Sequence, residues 1–300
     1  YSGSARLVLY TISSDLIKQK PLSGHGIGSF PRVWQNEKPS FYKSHPNAIL
    51  VNTFVAHPHN ETLLWLVEGG FIAGCGLLIV LVGLSLAIKR KGRQRGAVYT
   101  AMLLPIGLHS QFELPFYTSA VHWMIFMVIL FITFNSSHVR RCLILSVNAT
   151  KFAAYSVYIV FIAGILFFIH TIKSNQDFEN YLVQKNQGEQ LFKYAMKNIY
   201  LYKNAEWLAM QYIFYSGMKN GNRLSIEKFI KWGKVKLYER PDGDLYQNLI
   251  DAHDYLGQQE EKREMLSYAI ALYPNDRRFE VTAESKKLQS TSNSDQNCNN

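Results

Sequence analysis

Cysteine is scarce, with three in 300 residues at Cys75, Cys142 and Cys298. They stand in an apolar run, beside a basic stretch and in a polar tail, with no CxxC or metal-ligand spacing, which argues against a disulfide framework. Charged residues are few as well, 18% against 48% hydrophobic, a balance that excludes disordered and collagen-like classes. Acidic residues are nearly missing from positions 1–172, which hold 5 Asp/Glu against 14 Lys/Arg, whereas 173–300 hold 17 against 18. The basic excess therefore belongs to the apolar half, where membrane topology accounts for it and a nucleic-acid partner has no claim. A mean hydropathy of −0.08 averages over these two unlike halves. The chain reads as an integral membrane protein.

Residues 71–88 (FIAGCGLLIVLVGLSLAI) are uncharged, nearly long enough as a helix to cross a hydrocarbon core of about 30 Å. Lys89, Arg90, Lys91, Arg93 and Arg95 follow at once with no acid among them, which marks that turn as cytoplasmic and the preceding chain as outside. Three further spans are predicted: 96–112, interrupted by Pro105 and Gly107; 114–134, uncharged throughout; and 152–172, after a second basic loop with Arg140, Arg141 and Lys151. No signal peptide is visible and the first residue is Tyr1, so the chain is expected to be the C-terminal part of a longer membrane protein.

After Ser174 the composition turns polar, with apolar residues at helical spacing: Leu208, Tyr212, Tyr215 and Met218, then Ile226, Phe229, Ile230 and Val235. Segments 244–256 and 260–272 pair around Gly257, and Lys236–Pro241 (KLYERP) is echoed by Ala271–Pro274 (ALYP). The Tyr238 to Tyr273 offset of 35 residues approaches the period of tetratricopeptide hairpins. The predicted fold is all-α: a polytopic membrane helix bundle followed by a soluble helical-hairpin, tetratricopeptide-like region. The predicted divisions are 1–70, an outer loop carrying motif residues; 71–172, about four spans; 173–287, the hairpin domain; and 288–300, a tail disordered by composition.

Two polar clusters fall on the same predicted face. His57-Pro58-His59-Asn60-Glu61 precedes the first span, and His109-Ser110-Gln111-Phe112-Glu113-Leu114-Pro115 forms the second outer turn. Ionisable residues at span ends are costly, so two such sets converging on one membrane surface point to a functional site. His122 and His170, each alone in an apolar helix, read as interfacial or hydrogen-bonded residues. His57 and His59 make an HxH pair, but no third ligand accompanies them and no metal is expected. Upstream, the glycine-rich GHGIGSF (24–30) lacks the preceding strand and the closing Lys-Ser/Thr of a nucleotide loop, and reads as a turn needing glycine dihedrals. Arg6 and Arg32 are the cations best placed in sequence to meet a phosphate group with their planar forks.

The order Arg6, GHGIGSF, His59-Asn60 with Gly70 after nine intervening residues, then His109 to Pro115 resembles the C-terminal half of the O-antigen ligase and polymerase superfamily. HPHNE, LHSQFELPF and the hairpin region look most like its protein O-oligosaccharyltransferases. The resemblance covers about 1–134 by motif and 190–280 by architecture. Where the ligases continue from the glycine as GxxG, Gly70 is followed by Phe71, Ile72 and Ala73.

The resemblance implies a multi-pass inner-membrane enzyme with a periplasmic active site, using neither metal nor other cofactor. Its donor would be an undecaprenyl-pyrophosphate-linked oligosaccharide and its acceptor a Ser/Thr hydroxyl of a secreted, pilin-like protein. The chemistry suits the residues: the acceptor hydroxyl must lose a proton and the pyrophosphate leaving group must be neutralised. His59 is expected as the base with Glu61 competing for that role, Arg6 and Arg32 on the pyrophosphate, and His57, Asn60, His109 and Glu113 orienting these groups or the sugar. The alternatives are an O-antigen ligase or polymerase, with lipid A core or another sugar as acceptor, and a lipid-linked sugar transporter. The transporter is disfavoured because no charge stands within 71–88 or 114–134.

Overall fold

The computed structural model describes residues 3–135, 146–183 and 191–280. Helices dominate them, joined by turns and irregular segments such as 49–60, with no strand among the described residues. The chain divides into two compact units, Tyr1–His138 with Gly233–Asn300, and Val139–Trp232.

In the first unit, α1 (Gly3–Gln19) buries Ala5, Val8, Leu9, Ile12 and Leu16, a stripe at steps of three and four. α2 (Phe30–Ser44) starts with Pro31 in its first turn and buries Phe30, Trp34 and Phe41 against that stripe, together with Val51, Val55 and Val67. The Trp34 indole N–H donates to the Leu9 carbonyl across the pair, at 3.3 Å. Residues 1–70, expected as a loop, thus hold two packed helices with a core of their own. Their mixed polarity hid the period: Ser13, Gln35 and Lys38 are buried on the inner faces beside the apolar residues.

α3 (Glu61–Arg90) is one helix broken at Gly70, whose φ of 60° and ψ of −153° lie outside the helical region. In a continuous helix the Phe71 and Ile72 amides would donate to the carbonyls of Val67 and Glu68. Here Phe71 donates to Pro21 at 2.7 Å and Ile72 to Leu22 at 3.2 Å, while the Val67 and Glu68 carbonyls accept from His25 and Gly26, both at 2.9 Å. The glycine-rich turn replaces these missing helical bonds one for one, so all four backbone groups keep a partner. Contact this close leaves no room for side chains. A Cβ on Gly70 would stand 2.5 Å from the Leu22 carbonyl oxygen, and one on Gly24 would overlap the carbonyl of Glu68. The Glu68 carboxylate adds a further tie by accepting the Phe30 amide at 3.0 Å.

Beyond the break α3 runs to the basic turn and reverses into α4 (Arg93–His109), with Gly96 against the Ile88 carbonyl. A short α5 (Pro115–Thr118) leads to α6 (Ala120–Asn135), which packs on α3, α4 and α5. Among the described residues, two of the four expected spans lie in helices long and apolar enough to cross a membrane, α3 at 30 residues and α7 (Val147–Leu182) at 36. α4 spends its first turn on Arg93 and Arg95, and α6 is uncharged over its 16 residues, Ala120–Asn135, which end where the described residues do. Arg140, Arg141, Cys142, Cys298 and the tail expected at 288–300 lie outside the described residues.

The first unit resumes at Gly233, within the helix that spans 223–239, and ends with a helical hairpin. α9 (Arg223–Glu239) leads through Pro241 to α10 (Gly243–Tyr255), capped by Asp242, whose carboxylate accepts the Asp244 amide at 3.0 Å. Gly257 (φ 75°) turns the chain into α11 (Gln259–Leu272), and the pair buries Tyr246, Ile250, Leu266, Ala269, Leu272, Tyr273 and Phe279. α11 also packs on α2. The two tyrosines of the sequence echo differ in setting: Tyr273 is buried, whereas Tyr238 is exposed beneath the Arg32 guanidinium, 4.6 Å from its ring centre.

In the second unit α7 is followed by a 3-10 turn, Ala195–Lys197, whose Ala195 amide and the neighbouring Tyr194 amide both donate to Asp177. α8 (Tyr202–Asn220) closes on Gly221, and Phe214 stacks on Phe229 at 4.6 Å between ring centres. His170 on α7 pairs with Asn198 at 3.2 Å, a hydrogen-bonded setting as expected.

The docking of the turn on the helix break is testable by three alanine substitutions. Gly28→Ala, with positive φ but open space, should cost about 1 kcal/mol, the usual penalty of a left-handed residue. Gly24→Ala and Gly70→Ala should each cost about 3 kcal/mol or more, since strain is joined by overlap with backbone. Thermal unfolding of the purified protein measures this, and equal shifts for all three would contradict the docking.

Candidate functional site

The two polar clusters meet at the N-terminal end of α3. Asn60 is its N-cap, in extended conformation, with its side-chain oxygen accepting the Leu63 amide at 2.8 Å. Its side-chain amide donates to the Gln111 carbonyl at 3.1 Å, so one residue starts the helix and staples it to the second turn. Glu61 makes two further ties: its amide donates to the Ser110 carbonyl at 2.8 Å, and its carboxylate accepts the Phe116 amide at the start of α5, also at 2.8 Å. Gln111 returns a bond from its side chain to the Thr62 hydroxyl at 3.0 Å.

These bonds hold His59 in a conformation it would not choose. Its φ is 52°, the left-handed region, which costs a non-glycine residue of order 1–3 kcal/mol and persists where the surroundings over-determine it. The strain aims the imidazole at Glu113, with Nδ1 and Oε2 at 2.9 Å. Arg6, from α1, approaches the other oxygen of the same carboxylate at 3.8 Å. Facing an ionised carboxylate, Nδ1 carries the proton and donates it, which makes Nε2 the acceptor nitrogen of a neutral ring.

Glu113 ionises below the usual carboxylate range. The hydrogen bond from His59 is the largest cause, opposed by burial and assisted by the charges of His59, His57 and Arg6. The His57 ring stands edge-on to His59 at 4.4 Å, and burial, then the neighbouring His59, pushes its pKa down, so it stays neutral in neutral solution. The His57 Nδ1 and the Arg6 Nε are buried without a hydrogen-bond partner, two polar groups left over beside the dyad.

The structure thus brings together Arg6, His57, His59, Asn60, Glu61 and Glu113. His109 sits at the same turn but sets its ring against His122 at 5.2 Å. Arg32 is placed on Tyr238 rather than on this carboxylate. Glu61 is tied to the Phe116 amide, a fastening role beside the one expected of it as a base. Sequence reasoning passed over Ser110, Gln111 and Thr62, which fix the turn through a backbone carbonyl and an amide–hydroxyl bond. Neither kind of contact leaves a motif, although Gln111 lay inside the quoted LHSQFELPF. Among the described residues no group of three or more His, Cys, Asp or Glu side chains is arranged to hold a metal ion.

Residues 98–287 match the family described as virulence factor membrane-bound polymerase, C-terminal, and residues 1–80 match the O-antigen ligase family. The first match spans more than half of the chain, which therefore belongs to the membrane-bound polymerase family, within the O-antigen ligase and polymerase class. This class is membrane-bound, is of the glycosyltransferase kind, and uses a lipid-linked oligosaccharide and an acceptor. No curated protein and no solved structure matches the chain.

The geometry makes the Glu113 titration a readout of the dyad. A carboxylate with a lowered native pKa stabilises the fold above its ordinary range, and the contribution is lost as pH falls through the lowered value. His59→Ala should therefore raise the Glu113 midpoint toward that of an unperturbed carboxyl, followed by carboxyl carbon NMR of labelled protein in lipid nanodiscs. A midpoint that does not move would show that the bond is not made.

Proposed function

We propose that this protein transfers an oligosaccharide from undecaprenyl pyrophosphate to Ser/Thr hydroxyls of secreted, pilin-like proteins at the periplasmic face of a bacterial inner membrane. The observation that carries the reading is the Arg6–Glu113–His59 arrangement: a carboxylate fixes one imidazole nitrogen, leaves the other as an acceptor, and sits beside a guanidinium. His59 Nε2 takes the proton of the acceptor hydroxyl as its oxygen bonds to the anomeric carbon. The bond from that carbon to the pyrophosphate oxygen breaks, and the electron pair leaves on the pyrophosphate, which Arg6 neutralises. Glu113 orients His59 and stabilises the imidazolium that forms. His57 packs on that ring, Asn60 and Glu61 fasten the two turns, and His109 borders the acceptor side. Arg32, stacked on Tyr238, serves the donor only if it leaves that ring.

The facing rests on charge. The site is at the start of α3, and the five cations of 89–95 lie at and beyond its other end, past an unbroken apolar run of about 30 Å by helical rise. The cationic turn favours the cytoplasm, which puts the site outside. In this reading the membrane region 71–172 is polytopic, 1–70 is periplasmic, and the helical hairpins within 173–287 form a tetratricopeptide-like surface that presents the protein acceptor.

A second reading keeps the site and changes the acceptor to a sugar, giving an O-antigen polymerase or a ligase acting on lipid A core. The matched family, described as a membrane-bound polymerase, favours it.

The experiment offers undecaprenyl-pyrophosphate-linked glycan to the full-length protein in membranes, with a Ser/Thr acceptor protein and lipid A core in separate reactions. Glycosylated protein that falls by a factor of 10² or more in His59→Ala, and by about tenfold or more in Arg6→Lys, where the planar fork is lost, is the expected outcome. Glycan on lipid A core or lengthened on its carrier would move the acceptor to a sugar. Full activity of His59→Ala would remove His59 as the base.

A further inference from the structure

Lys38, in the middle of α2, is entirely shielded from solvent, and its ammonium nitrogen has no hydrogen-bond partner. It lies over the Tyr273 ring at 4.5 Å and the Trp34 ring at 5.8 Å, so α2 supplies one wall of the cage and the end of α11 the other. One turn away, the Gln35 side-chain amide donates to the Tyr273 hydroxyl at 3.3 Å and to the Thr53 carbonyl at 3.5 Å. The Tyr273 hydroxyl passes its own proton to the Pro241 carbonyl at 2.6 Å. Beside it Arg240 covers the ring of Phe54 at 4.5 Å. Thr53 and Phe54 belong to the segment that runs into His57 and His59. That segment is therefore held at two points, by Gln35 of α2 at Thr53 and by Arg240, at the entry to the C-terminal hairpin, over Phe54, and Gln35 is in turn bonded to Tyr273 of the hairpin.

We propose that the contact between α2 and the C-terminal hairpin is a proton-operated clamp on the His59-bearing segment, with Lys38 as its switch. Lys38 is a positioning residue: it acts on transfer through the hairpin and the 53–59 segment, not by touching substrate. The proposal rests on the transfer reading above for its effect on activity, but not for its effect on the hairpin.

The charged groups on every packed element leave Lys38 without a counterion in the cage. On α2 itself, Glu37 is engaged by Gln19 of α1. From α1, Arg6 faces Glu113, and Asp15 pairs with Lys18. From α3, Glu68 accepts the Phe30 amide. From the hairpin, Asp242 pairs with Arg240, while Asp244 and Asp276 pair with Arg278. The Tyr273 phenol is pushed up by burial, so it presents a neutral ring. Burial alone lowers Lys38 from 10.5 to about 7.

The sign follows by linkage. In the docked state Lys38 sheds its proton near 7, whereas undocked and exposed to water it holds it to about 10.4. Docking carries its full penalty below pH 7 and strengthens about tenfold per unit as pH rises above that value. Between pH 6 and pH 8 the gain is about tenfold.

Hydrogen exchange of the full-length protein in lipid nanodiscs, corrected for intrinsic rates, reads the clamp directly. Amides of α10, α11 and 53–59 should gain about tenfold protection from pH 6 to pH 8. Lys38→Met should hold the higher protection at both values, and Lys38→Arg, charged throughout, the lower at both. Transfer activity, measured in parallel, should follow the wild-type profile and lose that dependence in Lys38→Met. Protection that is flat with pH in the wild type, or that changes equally in Lys38→Met, overturns the clamp. An exchange pattern as predicted with no transfer in any variant would instead overturn the transfer reading and leave the clamp standing.

Discussion

The packing of α1, α2 and the start of α3 hangs on four backbone hydrogen bonds at Gly70. A helix interrupted within reach of a membrane would leave two amides and two carbonyls unpaired, and each unpaired group costs several kcal/mol in hydrocarbon. The turn 21–26 supplies the matching acceptors and donors, and its glycines let two backbones meet with nothing between them. One consequence is directional. The segment 61–69 becomes a half-helix whose start can be aimed independently of the apolar run that follows. Another is connectivity, because α1 enters that turn and α2 leaves it, so the core of Leu9, Ile12, Phe30, Trp34 and Val67 forms beside the break.

The half-helix then carries the site. His59, Asn60 and Glu61 are consecutive, and each is bonded to a different residue of 110–116. Together they hold a strained backbone at His59 that neither turn would hold alone. The strain is spent on orientation: it points the imidazole at a carboxylate that a guanidinium also approaches. Low Glu113 basicity follows first from the hydrogen bond it accepts from His59, and the neutral His57 first from its burial beside that ring.

Much of this was legible in the residues, in proportion to how locally each feature is determined. The first span could be read because 18 uncharged residues end in five cations, and helix α3 covers it. The glycine turn could be read because GHGIGSF offers dihedrals and little else, and Gly24, Gly26 and Gly28 all have positive φ. The meeting of HPHNE with LHSQFELPF followed from charge and span counting. What escaped was decided by distant partners. α1 and α2 bury Ser13, Gln35 and Lys38 among apolar side chains, which blurs their period. Arg32 was matched to phosphate by its chemistry, but a tyrosine more than 200 residues away takes its guanidinium. Likewise, composition assigned α10 and α11 to a region of their own, whereas Tyr273 fastens them to α2.

The central claim is that Glu113 fixes His59 with its proton on Nδ1, so that Nε2 is the acceptor. Nitrogen-15 NMR of histidine-labelled full-length protein in lipid nanodiscs tests this most directly. The account predicts a protonated Nδ1 and an unprotonated Nε2 for the neutral His59 ring, with the preference lost in Glu113→Gln, whose amide no longer demands a donor. A proton on Nε2 in the wild type, or a tautomer indifferent to Glu113, would contradict it.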